Sequence, residues 1–263
     1  MKNHSFLIAI FCFSSLFGQI HEIKQIDEVF DHIHPETLIL FDVDDTLICA
    51  PHLLGREQWF HDRVQLLQEE GFSLKEAQDQ AFHEWHAFQH ITRMDLVEEH
   101  TSRVIERLQE EHVVMALTAR DPALINPTRR QLAGHGIFLE KDSLLQESLH
   151  LSMKPTWTVY SEGVIFTCGG NKGKALFAFL DQIGFEPKEI VFVDDRKRGL
   201  SEVEECALER GIPFTGLRYG YLDVRSVPYD RKIAREQHAH LFKILSNEEA
   251  KEKMIHSSRE QED

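Results

Sequence analysis

Three short apolar runs punctuate the chain, and each stops at polar residues. Leu38-Ile39-Leu40 runs into Phe41-Asp42-Val43-Asp44-Asp45-Thr46-Leu47. Val113-Val114-Met115-Ala116-Leu117 stops at Thr118-Ala119-Arg120-Asp121-Pro122, and Ile190-Val191-Phe192-Val193 stops at Asp194-Asp195. Continuous apolar runs of this length, bounded by turn residues, read as strands buried on both faces. A further short strand is predicted near Ile212 to Leu217. A hairpin is predicted over 156–168, with a run on either side of Ser161-Glu162-Gly163.

Between these runs the apolar period changes to that of a helix. Trp59, Phe60, Val64 and Leu67 share one face, and Gly71 ends that helix. Ser73 with Glu76 is a capping-box pair that opens a second helix, carrying Leu74, Ala77, Ala81, Trp85 and Phe88. The spacing predicts further helices through Leu96, Val97, Val104, Ile105 and Leu108, over 123–134, from Lys172 to Ile183, over 199–210 and over 231–245. Strands alternating with helices imply an α/β fold: a doubly wound, mostly parallel, Rossmann-like sheet. Residues 19–49 and 91–245 would form its core, 50–90 a small helical cap inserted after the first strand, and 246–263 a charged, frayed tail.

The first residues read differently. Lys2 precedes an almost wholly apolar stretch from Phe6 to Phe17, then Gly18-Gln19. That stretch is short for a bilayer span and has the length of a signal-peptide core, so residues 1–18 are expected to be removed on export to the periplasm or beyond. Export leaves Cys49, Cys168 and Cys206. An odd count is no disulfide framework, and buried free thiols are the expectation. With 42% apolar residues in 263, a sizeable core can form, and the formal charge of −15 repels nucleic-acid backbones and anionic membranes. No nucleic-acid polymer and no stable membrane span are expected. A small phosphorylated substrate in a locally basic pocket is compatible with that charge.

The strand ends carry the chemistry. Side chains alternate along a strand, so Asp42 and Asp44 would start on one face, at the sheet edge where open α/β folds place their ligands. Carboxylates from two strands can hold a hard cation such as Mg²⁺. A lysine and a hydroxyl can neutralise and orient phosphate oxygens. A carboxylate can also accept a phosphoryl group.

In order, Asp42-Val43-Asp44-Asp45-Thr46, Thr118, Lys172 and Asp194-Asp195 resemble the four motifs of the haloacid dehalogenase-like (HAD) hydrolase superfamily, over roughly residues 37–217. The resemblance implies a nucleophile at Asp42, an acid and base at Asp44, a phosphoryl-binding hydroxyl at Thr118 and a stabilising cation at Lys172, with Lys174 as its competitor. It implies Mg²⁺ on Asp42, the backbone carbonyl of Asp44, Asp194 and Asp195. An aspartate at 44 favours phosphate-ester chemistry, because a halide leaving group needs no proton. The implied activity is a Mg²⁺-dependent phosphatase, loosely similar to class B acid phosphatases. A phosphomutase and an exported non-catalytic interaction protein or effector are the alternatives.

Three other patterns carry less. His83, His86 and His90 share a helical face and read as a solvated polar surface rather than a metal site. Ala87 stands where His83-Glu84-Trp85-His86 would need a second histidine for a zinc-protease motif. Gly169-Gly170-Asn171-Lys172-Gly173-Lys174 lacks both the first glycine and the final Ser/Thr of a P-loop. Arg196-Lys197-Arg198 is a short basic run, as well suited to the surface as to phosphate.

Overall fold

The computed structural model describes residues 19–154, 156–225, 227–240 and 244–260. The apolar leader therefore lies outside the described residues. Among the described residues there are ten strands: β1 (Gln19–Ile23), β2 (Thr37–Phe41), β3 (Ile48–Cys49), β4 (Asp95–Leu96), β5 (Val113–Thr118), β6 (Leu149–Leu151), β7 (Thr158–Ser161), β8 (Val164–Phe166), β9 (Glu189–Asp194) and β10 (Phe214–Tyr219). The α-helices are α1 (Glu57–Glu69), α2 (Leu74–Ile91), α3 (Thr101–Leu108), α4 (Ile125–Ala133), α5 (Lys172–Ile183), α6 (Lys197–Glu209), α7 (Arg231–Ala239) and α8 (Asn247–Glu260).

Eight strands make one sheet in the order β1-β10-β9-β2-β5-β8-β7-β6. Pairing is parallel from β1 through β8, and β7 alone is antiparallel to both of its neighbours. The sheet is a mostly parallel, doubly wound α/β layer, as the alternating elements imply. The central strands β2, β5 and β9 are buried except at the first residue of β5 and of β9, yet the two-residue period still sorts their side chains. Ile39, Phe41, Val114, Ala116, Val191 and Val193 pack on one face with Val104, Ile105 and Leu108 of α3. Leu38, Leu40, Met115, Leu117, Ile190 and Phe192 pack on the other with α5 and α6.

Residues 50–90 hold the expected helical pair, α1 and α2. Ser73 caps α2 with both bonds of the capping box in place. A two-stranded ribbon, β3 with β4, closes the base of the insert. This corrects the helix expected through Leu96 and Val97: those residues suit a helical stripe, but Leu96 pairs with Ile48, and α3 starts at Thr101. The C-terminal region also differs from expectation. Residues 247–260 form a helix rather than a frayed tail. Ile233, Ala234, Leu245 and Ala250 bury against Leu53, Leu54, Trp59 and Phe88, so the C-terminal helices pack on the insert. Arg231 reaches the buried Asp62 of α1, and His238 reaches Glu84 of α2 at 3.2 Å. Among the described residues no helix is long and apolar enough to cross a membrane.

Candidate active site

β9, β2 and β5 are adjacent and parallel, so their carboxyl ends open on one edge. β2 ends at Phe41, and the Asp42 N–H donates to Val193 O at 2.9 Å, fixing Asp42 beside the end of β9. The chain then turns sharply, with Asp45 in the left-handed region at φ 58°. β2 itself stops at Phe41, before either Asp42 or Asp44. Their carboxylates take different partners, although both line the same cleft.

The Lys172 ammonium sits between Asp42 Oδ1 at 2.9 Å and Asp194 Oδ2 at 2.7 Å. α5 delivers it there because Asn171 caps the helix, its Oδ1 accepting the Lys174 N–H at 2.8 Å. Lys174, the competitor for this place, points to solvent. Asp194 Oδ1 accepts the Arg196 N–H at 2.7 Å, and Thr46 Oγ1 accepts the Asp195 N–H at 3.1 Å. The hydroxyl at the fifth position of the first motif thus ties it to the last. Gly199 leaves the room this needs, since a Cβ there would lie 2.2 Å from Asp194 Oδ2.

Thr118 is fully buried at the end of β5, and its Oγ1 accepts the Arg120 N–H at 3.2 Å. Arg120 is the residue the sequence reading passed over. Its buried guanidinium grips Asp44 through two bonds of 2.8 and 2.7 Å. The rest of the fork donates to Thr128 Oγ1 at 2.8 Å and Gln131 Oε1 at 2.7 Å. The available signal was an arginine just past a buried strand end, and arginine is the side chain suited to two-point carboxylate contact.

Oxygens of Asp42, Asp194 and Asp195 all lie within 4.8 Å of one another. Among the described residues these three form the group able to hold a metal ion, and His83, His86 and His90 form none. The Asp44 carboxylate stands outside the group. Burial pushes Asp42 up to about 7, with Lys172 opposing the shift and Asp194 and Asp44 adding to it. Burial, then the charges of Asp42 and Asp194, pushes Asp195 up to about 8. Lys172 serves the buried Asp42 and Asp194 while the half-buried Asp195 stands beside them, and the crowding of these carboxylates fits a divalent cation with oxygen ligands.

The surrounding charges are engaged. Arg196 bonds Glu57 of α1 at 2.9 and 2.5 Å and lies 3.7 Å from Asp195. Lys197 pairs with Glu22 and Arg198 with Glu202, so the basic run is not a free phosphate patch. Cys49, Cys168 and Cys206 are free thiols. Burial, with a bond to Asp121, pushes the Cys168 thiol up to about 11, which keeps it protonated and a poor nucleophile.

A family model described as "Protein of unknown function (DUF2608)" matches residues 19–251. A "Putative outer membrane protein" of Chlamydia muridarum is 30% identical over 232 residues, 88% of this chain and 86% of that protein. A protein of the same name from Chlamydia trachomatis serovar D is 28% identical over the same shares. A haloacid dehalogenase-like family hydrolase from Streptococcus pneumoniae superposes with a TM-score of 0.44 at 12% identity, covering 68% of this chain and 93% of that one. A HAD-superfamily hydrolase of Geobacter sulfurreducens gives 0.41 at 13% identity, covering 72% and 94%.

Proposed function

The chain belongs to the DUF2608 family, and from its site we infer a metal-dependent phosphatase of the HAD type that hydrolyses phosphate monoesters through a phosphoryl-aspartate at Asp42. One observation carries this reading. A buried carboxylate, Asp42, is held by Lys172 beside the buried Asp194 and the half-buried Asp195, in a cleft that also presents Asp44. Asp42, Asp194 and Asp195 would hold Mg²⁺, with the Asp44 carbonyl as the resemblance implies. Bound there, the ion would supply Lewis-acid neutralisation of phosphate oxygens.

The chain's own residues divide the remaining work. Lys172 orients Asp42 and balances part of its charge. An Asp42 oxygen attacks phosphorus, and the bond from phosphorus to the ester oxygen breaks as Asp44 gives that oxygen its proton. Water then attacks the phosphoryl-aspartate and Asp44 takes its proton, which releases phosphate and restores Asp42. Thr118 offers its hydroxyl to a phosphoryl oxygen. Arg120 is a positioning residue that sets the direction of Asp44. α1 and α2 cover the cleft and limit competing water.

The apolar stretch from Phe6 to Phe17, together with the relatives' name, supports an exported protein. The test is turnover of p-nitrophenyl phosphate with and without Mg²⁺, for wild type and Asp42→Asn. Metal-dependent turnover that falls by about 10³-fold or more in the variant is expected. Equal turnover in both proteins, or none that depends on metal, sinks the assignment. Melting curves check folding, and Asp42→Asn should be no less stable, because it removes a charge from a crowded buried group.

A further inference from the structure

The cleft above the carboxylates encloses about 500 Å³, ample for a small organic group beyond the phosphate. Its wall on the insert is aromatic. Phe60 of α1 meets Phe82 of α2 with ring centroids 4.6 Å apart, Phe82 lies 6.4 Å from His86, and His86 lies 5.7 Å from Trp85. These four rings all line the cleft. Phe82 is 50% exposed, an open apolar face on that wall. Trp85 is locked in place, its indole N–H donating to Gly55 O at 3.0 Å. His86 Nε2 is buried without a hydrogen-bond partner, an unused polar atom within the same wall.

Charge narrows what this wall could receive. Each arginine lining the cleft is already engaged: Arg56 by the carbonyls of His52 and Val227, Arg120 by Asp44, Arg196 by Glu57 and Arg198 by Glu202. Lys172 is held by Asp42 and Asp194. A second phosphate or a carboxylate on the leaving group would find acids and occupied cations. A neutral, flat ring would find faces to stack on.

We propose that the substrate is a phosphate monoester whose alcohol carries a planar aromatic ring and no charge, the chemistry shared by nucleoside monophosphates and phenyl phosphates. The proposal rests on the phosphatase reading, and its test separates the two. kcat/KM is measured for a nucleoside 5′-monophosphate, phenyl phosphate, glycerol 3-phosphate and glucose 6-phosphate. The aromatic esters should lead by about tenfold or more, the scale of one good ring contact. Whichever of the two leads identifies the source of the ring. Phe82→Ala should remove most of that preference. Phe72→Ala, an exposed ring outside the cleft, should keep it.

A second measurement needs no turnover: tryptophan fluorescence titration with adenosine and with phenol, in wild type and Phe82→Ala. Saturable quenching that weakens in the variant supports the aromatic subsite even if every ester is inert, and in that case the phosphatase reading alone fails. Equal turnover of all four esters, with no saturable quenching, overturns the subsite and leaves the phosphatase reading standing. Inert esters and no quenching overturn both.

Discussion

Replacing Arg120 with methionine keeps an aliphatic chain of similar reach and removes the guanidinium. Four side-chain bonds go with it, two to Asp44 and one each to Thr128 and Gln131. Thr128 is fully buried and Gln131 nearly so, and each loses a donor. Leaving such groups unsatisfied costs about 1–3 kcal/mol apiece. The Asp44 side chain is 37% exposed, so losing its ion pair adds less than about 1 kcal/mol. The sum allows for partial relaxation and is about 2–4 kcal/mol, a fall of roughly 5–12 °C in melting temperature for a domain of this size. The catalytic effect is separate. An Asp44 freed to swing by about 1 Å should lower kcat/KM by about 10²-fold. Asp44→Asn is the contrast: the amide oxygen still accepts one of the two Arg120 bonds and those to Thr128 and Gln131 remain, so stability should fall by less than in Arg120→Met while turnover collapses. Circular dichroism melts and p-nitrophenyl phosphate turnover read both effects. If Arg120→Met melts and turns over like wild type, Arg120 does not hold Asp44. If Asp44→Asn costs as much stability as Arg120→Met, the bonds to Thr128 and Gln131 are not the source of the loss.

Two further outcomes test the frame around the site. Gly173→Ala would place a Cβ 1.9 Å from Glu202 O and 2.9 Å from Cys206 Sγ. Backbone cannot yield there, so α5 and α6 must part at a cost of about 1–3 kcal/mol, visible as a lower urea midpoint, and an unchanged midpoint would contradict the close approach. Glu84 is subject to burial, which raises its pKa, but its bonds to His238, Arg63 and Gln80 outweigh that and hold it well below its ordinary 4.5. A depressed folded pKa means that its stabilisation is present above about pH 4.5 and fades as pH falls toward the folded value. Urea midpoints of wild type should therefore fall between about pH 4.5 and pH 3 more steeply than those of Glu84→Gln, and parallel pH profiles would refute the role.

Much of the architecture was legible because it is local and periodic. The runs at 38–41, 113–118 and 190–194 are too apolar for anything but buried strands, and Ser73 with Glu76 marks a helix start by itself. β1 was not legible, because Gln-Ile-His-Glu-Ile is a mixed edge segment that becomes a strand by pairing with β10. Leu96 was misread for a related reason: its stripe suits a helix, and only Ile48, far away in sequence, selects the ribbon.

The sequence by itself determined which residue types stand at the strand ends and in what order. Chain order carries the first motif, Thr118, Lys172 and the aspartate pair without knowledge of any distance. The tertiary structure alone decided how they divide. It set Lys172 between Asp42 and Asp194, drew Asp44 to Arg120, and turned Phe82 and Trp85 toward the same cleft. The physical reason is that periodicity reports which side of an element is buried. Which charges share one low-dielectric pocket depends on strand order and helix packing, and these bring together residues distant along the chain.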